Sequence, residues 1–290
     1  MTSGLQILIL GLALGGVYAL MAIGLSMTYG VMRILNLSHA AFMVLGAYLA
    51  YWALQILRID PLVSILINGP LFFIFGIILY RILFVPLAGR PRYTEATLLL
   101  SFGLALSIEG MMGALWTGIY RLANPPYATR SLAFGSFYIP EGQMYATAAS
   151  LWILTALWGF LQKTRFGRAI RATMQNRTAA QIVGVNVERI SALAFGLGMA
   201  SAGISGSLLS FLFPFFPGKH WQWISILLSL VVLGGMGSLI GTVVGALMLA
   251  VASVYVSSIL GPTWSPATFY AALFLVLMIR PQGLFGKREV

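Results

Sequence analysis

Cysteine is absent from this chain, which excludes disulfides, thiolate metal sites and a cysteine nucleophile. Charge is nearly as scarce. Only 8% of the residues are Asp, Glu, Lys or Arg, six acids against seventeen bases, whereas a soluble domain carries about 25%. Histidine occurs twice, at His39 and His220, and no His-Glu-x-x-His motif makes a zinc site of them. The phosphate-cradling motif Gly-x-x-x-x-Gly-Lys-Ser/Thr is also missing. A membrane enzyme is therefore left without a metal or nucleophile constellation, and this chain has no ATP site of its own. No cofactor and no metal are expected on it.

Apolar residues are abundant: 60% of the chain is hydrophobic and its mean hydropathy is +0.94. A soluble fold of this size could not hide so much apolar surface. Runs near 5–29, 37–57, 62–84, 97–118, 143–161, 190–213, 239–260 and 266–279 approach the roughly 20 residues that cross a bilayer. A shorter run at 223–233 reads as a half-helix or a tight pass. In lipid these runs must be helices, because an open sheet would strand backbone polar groups. The expected fold is all-α integral membrane: one transmembrane domain over 1–290, a polytopic bundle of eight or nine segments. The first run lacks a basic flank and a small-residue cleavage site, so it reads as a span and not a signal peptide.

The net charge of +11 is explained by position. Six bases, Lys163, Arg165, Arg168, Arg171, Arg177 and Arg189, share one stretch in which Glu188 is the only acid. Such clusters mark the cytoplasmic side of membrane proteins, and nucleic-acid binding is not needed to account for them. Loop 163–189 is thus internal and loop 119–142 external, with the N-terminus outside and the tail bearing Arg280, Lys287 and Arg288 inside. That scheme needs an odd number of crossings, so the short run at 223–233 must count as one. The external loop holds Tyr120, Tyr127, Phe134, Phe137 and Tyr138. These suit an interfacial lid or contact with an extracytoplasmic partner.

Within the basic loop, Asn176 can cap a helix over 177–183, and Gly184 suits the left-handed residue that ends it. Asn186 can cap the next helix, which enters the membrane. A short capped helix with small Ala179 and Ala180 fits a groove on another protein; a solvated basic loop is the plainer alternative. Asn36 can cap a helix from Leu37, placing Ser38 and His39 at a polar spot in the membrane, either as a substrate site or as a satisfied buried group. Glu109 lies within a span, where an acid must line water or pair, with an arginine or a neighbouring subunit. Small residues at Gly11 and Gly15, and at Gly237, Gly241 and Gly245, share helix faces and suit close helix packing, within the chain or between subunits.

Arg171-Ala-Thr-Met-Gln-Asn-Arg-Thr-Ala-Ala-Gln-Ile-Val-Gly-Val-Asn-Val187 resembles the cytoplasmic loop of the branched-chain amino acid ABC permease family, its LivH-like branch. Ala194-Phe-Gly-Leu-Gly-Met-Ala-Ser-Ala-Gly203, Gly15-Gly-Val-Tyr-Ala-Leu20, Val232-Leu-Gly-Gly-Met-Gly-Ser238 and Ile279-Arg-Pro-Gln-Gly-Leu-Phe285 are similar to the family too. The resemblance implies that Arg177, Thr178, Ala179, Ala180 and Gly184 belong to a coupling helix docking on an ATPase. It implies as partners two ATP-binding subunits using ATP and Mg, a second related permease in a heterodimer, and a periplasmic solute-binding protein at the bacterial inner membrane. It makes Asn36, Ser38, His39 and Glu109 candidates for a substrate pathway. Where the family commonly has Asn-Phe-Ala-His-Gly and an acid, this chain has Asn36-Leu-Ser-His-Ala-Ala41, without the glycine and the acid. The implied cargo is a branched-chain or hydrophobic amino acid, with urea, short amides or aromatic acids as alternatives. A stand-alone channel or ion-coupled carrier is the competing class. It would call for more intramembrane charge than Glu109 supplies.

Overall fold

The computed structural model describes residues 4–134 and 137–286. Its helices are α1 (Gly4–Met32), α2 (His39–Leu57), α3 (Pro61–Leu79), α4 (Tyr93–Trp116), α5 (Glu141–Lys163), α6 (Arg165–Gln175), α7 (Arg177–Ile182), α8 (Val187–Leu212), α9 (His220–Gly234), α10 (Leu239–Leu260) and α11 (Ser265–Ile279). Eight helical segments are long and apolar enough to cross a bilayer, α3 being prolonged by a π turn and a 3-10 turn to Leu87. The chain is a multi-pass, all-α membrane protein.

The short run lies in α9, whose 15 residues span about 22 Å at 1.5 Å per residue. Its start follows Phe215, which is bridged by backbone hydrogen bonds to Arg121 of the outer loop. Its end meets a tight turn at Gly235 and Gly237, both with positive φ, and Gly237 lies against Gly30 near the inner end of α1. Beyond that turn α10 returns antiparallel to α1, placing Leu247 against Gly15 and Val251 against Gly11. The short run thus joins the outer loop to the turn beside the end of α1, the direction that the charge pattern expects of it. Tail residues Lys287 and Arg288 lie outside the described residues.

The core gathers on α8, which packs on α1, α2 and α3. Small residues let these backbones approach: Gly203 faces Gly46, and Gly198 faces Gly24. Polar side chains bind the same seam. Asn68 on α3 donates to the Ser207 hydroxyl on α8 at 2.8 Å and to the Gly46 carbonyl on α2 at 3.2 Å. Gly241 and Gly245 instead set α10 against the backbone of α9, at Gly234 and Leu230; Gly237, expected on the same helix face, lies before the Ser238 cap in the turn, because its positive φ breaks the helix there.

A β-hairpin, β1 (Ser131–Phe134) with β2 (Phe137–Pro140), occupies the outer loop. The aromatic content suggested an interfacial lid or a partner contact, without a strand pair. The side chains of Phe134 and Phe137 lie outside the described residues. Arg121 anchors the loop. Its guanidinium sits 5.4 Å from the Tyr51 ring and 5.1 Å from Trp52, and donates to the Trp116 carbonyl at 3.1 Å. The Tyr127 hydroxyl donates to Asp60 at 2.7 Å, and the same carboxylate caps α3 at Leu62. Burial, and next the hydrogen bond to Asp60, push the Tyr127 phenol well above its ordinary range, so it remains a donor.

Candidate functional site

The inner face presents a built protrusion. Thr164 caps α6, its hydroxyl accepting from Gly167 N at 2.9 Å. Asn176 caps α7, accepting from Ala179 N at 3.0 Å, and Asn186 caps α8, accepting from Arg189 N at 3.0 Å. Gly184 closes α7 with φ +86°. Three side-chain caps within 23 residues hold a short element rigid that could not stand alone as a helix. Replacing Asn176 by alanine is expected to cost about 0.5–2 kcal/mol, read as faster proteolysis of this loop with the spans intact.

Arg177, Thr178, Ala179 and Gly184 are exposed, but Ala180 is only 3% exposed. This corrects the expectation that Ala180 belongs to a contact surface: it turns inward and seats α7 on the body. The exposed apolar groups are Ile182, 81% exposed, and Val183, 77% exposed. They were missed because helix and turn residues at 181–184 carry no signal of which side faces out until the α6–α8 packing is known.

The polar spot at 33–39 is buried. Past α1 the chain turns back through Arg33, with φ +56°, and runs beside α1 until His39 Nε2 donates to the Met21 carbonyl at 3.1 Å. Asn36 is not the helix cap expected of it. The helix starts at His39, and Asn36 Oδ1 instead accepts from Ser38 N at 3.2 Å and from the Ser38 hydroxyl at 2.6 Å, a local turn ahead of α2. Asn36, Ser38 and His39 are each no more than 1% exposed.

Glu109 pairs with a histidine and an indole, not with an arginine. Its Oε2 accepts from His220 Nε2 and from Trp221 Nε1, both at 3.0 Å. This ties α4 to the start of α9. Truncation to Glu109→Ala leaves the buried His220 and the partly buried Trp221 donors without this acceptor and is expected to cost about 1–3 kcal/mol, measured as a lower unfolding midpoint in detergent. Glu109→Gln keeps one acceptor and should recover part of it.

Two cavities lie toward opposite ends of α1, one beside Tyr29 and one beside Leu14 and Tyr18. The inner one, about 620 Å³, is lined by Tyr29, Arg33, Arg171, Gln175 and the turn at 236–238. Pro281, Gln282, Phe285 and Gly286 also line it, and between them Leu284 N donates to the Leu233 carbonyl at 2.8 Å. The outer cavity, about 390 Å³, lies between α1, α9, α10 and α11. Asn36, Ser38, His39 and Glu109 line neither of these two cavities; Asn36, Ser38 and His39 are buried where α2 begins, and Glu109 pairs across to α9.

Residues 7–280 match the family model of the branched-chain amino acid transport system permease component. The chain belongs to this family. It is 30% identical to the high-affinity branched-chain amino acid transport permease LivH of Salmonella typhimurium, over 99% of this chain and 96% of that protein. It is 28% identical to BraD of Pseudomonas aeruginosa, over 99% and 97%. It is 25% identical to LivM of Salmonella typhimurium, over 92% of this chain and 67% of that protein. In fold it matches PsaBC from Streptococcus pneumoniae with a TM-score of 0.52 at 12% identity, over 97% and 94% of the two chains. The chain is thus an ABC importer permease by family, and the α7 protrusion is a feature of that permease.

Proposed function

We propose that this permease works in the plasma membrane as one half of a heterodimer with a second, related permease. Two separate ATP-binding subunits, using ATP and Mg, dock on its inner face. A solute-binding protein delivers branched-chain or similar hydrophobic amino acids to its outer face. The observation that carries this reading is α7: a helix capped at its start, closed by Gly184, and tipped with bare Ile182 and Val183. Exposed aliphatic groups on a rigid, basic-flanked element suit insertion into a partner's groove.

The mechanism follows from where α7 is attached. α6 connects it to α5, and the Asn186 cap connects it to α8, the helix at the centre of the bundle. A push on α7 by closing ATPase subunits passes into α8 and so into α1, α2 and α3. Outer and inner cavities toward opposite ends of α1 suit alternating access, and ATP selects between the two states by binding one more tightly.

The experiment is purification of the tagged chain from mild detergent, with identification of what accompanies it, followed by uptake in proteoliposomes. Recovery of two ATPases and a second permease, with leucine uptake that needs ATP, is the expected result. A chain recovered alone that transports without ATP overturns the reading in favour of an ion-coupled carrier or a channel.

A further inference from the structure

The outer cavity has a chemistry that the docking of ATPases and of a binding protein does not explain. Its wall carries Tyr18, Phe213, Trp223 and Phe269. Their rings form one cluster: Tyr18 lies 5.6 Å from Phe269 and 6.2 Å from Trp223, and Phe213 lies 5.2 Å from Trp223. Its polar part is Lys219, Gln222, Tyr120 and Ser257, with Ser253 and Ser265 bonded to each other at 2.6 Å. No acid is among the described residues that line it. Glu109, close by in the fold, is engaged by His220 and Trp221 and lies outside the wall.

Two helices begin at this cavity. α9 starts just after Lys219 and α11 starts at Ser265, both behind 3-10 turns, and neither start is capped by a side chain. Helix starts carry partial positive charge; here the Ser265 N–H is already donated to the Pro262 carbonyl and Pro266 has none, so the start of α11 acts through its dipole. One ammonium group and two helix starts thus converge on a space with an aromatic wall and no counter-ion. The indole N–H of Trp223, itself in that wall, is buried without a partner among the described residues.

We propose that the outer cavity binds a small apolar carboxylate. Lys219 and the starts of α9 and α11 hold the carboxylate, and the ring cluster holds the hydrocarbon. At about 390 Å³ the space sits near the small end of ligand sites, about 300–1,000 Å³. It admits one such molecule. The proposal deepens the import reading and rests on it: the cavity is the first station of an imported amino acid in the membrane. It selects by the acid end. With no anion in the wall, the ammonium group of an amino acid adds little, and an acid without an amine binds about as well.

The test uses the purified complete importer in nanodiscs, read by tryptophan fluorescence against a Trp223→Phe control. The probes are L-leucine, 4-methylpentanoate, 3-methylbutylamine and palmitate. Leucine and 4-methylpentanoate should bind with affinities within about tenfold of each other, and the amine at least about tenfold more weakly. Lys219→Gln should lower the affinity for both acids at least about tenfold, and Lys219→Arg should restore it. Binding of the amine as tightly as the acids, or unchanged acid affinity in Lys219→Gln, overturns the proposal. So does palmitate outcompeting the short acids, which would make the cavity a lipid site. The two readings fail separately. ATP-driven leucine uptake with acid binding indifferent to Lys219 sinks the site and leaves the importer. Lys219-dependent binding of 4-methylpentanoate in a complex that never imports leucine sinks the amino-acid cargo and leaves the site.

Discussion

Replacing Ile182 and Val183 together by aspartate abolishes ATP-driven uptake while the permease remains inserted and folded. Both side chains are more than three-quarters exposed, so neither contributes to packing within the chain. A carboxylate forced into a partner's apolar groove without a counter-charge costs about 2–4 kcal/mol per site, a weakening of roughly thirty- to thousandfold. The readouts are co-purification of the ATPase subunits, which should be lost, and the detergent unfolding midpoint, which should not move. Ala180→Trp is the informative contrast. Ala180 lies under α7, so a tryptophan there lifts the helix off the body, and the variant should lose both coupling and protease resistance of the 163–189 loop. Wild-type uptake in the double aspartate variant would show that energy enters elsewhere.

Gly206→Val is expected to prevent folding altogether. A Cβ at Gly206 meets the backbone of α2, with Ala47 N at 2.7 Å and the Met43 carbonyl closer still. Those atoms belong to helix backbone and cannot swing aside as a side chain end would. The cost therefore exceeds the about 1–3 kcal/mol of ordinary overpacking. The central α8 would separate from α2, and with it the Asn68–Ser207 contact to α3. Gly103→Ala on α4 should behave in the opposite way. Nothing lies within 4 Å of the Cβ it would gain, and alanine favours a helix over glycine by about 0.5–1 kcal/mol. Size-exclusion profiles of the two variants in detergent settle the point: aggregated for Gly206→Val, monodisperse and at least as heat-resistant as wild type for Gly103→Ala. A monodisperse Gly206→Val protein would mean that the α2–α8 contact is looser than its geometry.

Much of this protein is legible in one dimension, because the bilayer restricts what a chain can do. Apolar runs must be helices, so α1 to α5 and α8 to α11 were readable to within a few residues, and basic clusters fixed their direction. The caps at Asn176 and Asn186 and the break at Gly184 were readable for a related reason: they are local, and a side-chain oxygen reaches only the N–H groups two or three residues ahead. Family membership was legible in the same loop.

What needed the tertiary structure is whatever depends on partners distant in sequence. That Glu109 meets His220 across 111 positions, that Arg121 settles over Tyr51 and Trp52, and that His39 reaches back to Met21 follow only from helix packing. Packing also decided what the sequence left open. Asn36, Ser38 and His39 are polar at membrane depth, which allowed a substrate site or a satisfied buried group, and the structure shows them buried with Asn36 bonded to Ser38 and His39 to Met21. Ala180 sits in the coupling element but faces the body, and the exposed tip belongs to Ile182 and Val183. The outer cavity was invisible for the same reason. Tyr18, Lys219, Trp223 and Phe269 come from three helices and a turn, and no periodicity in one segment records what faces it from another. Hydrophobicity and capping act between near neighbours or between chain and solvent, so the sequence displays them. The enclosure of a site is a relation between surfaces, and it exists only once those surfaces have met.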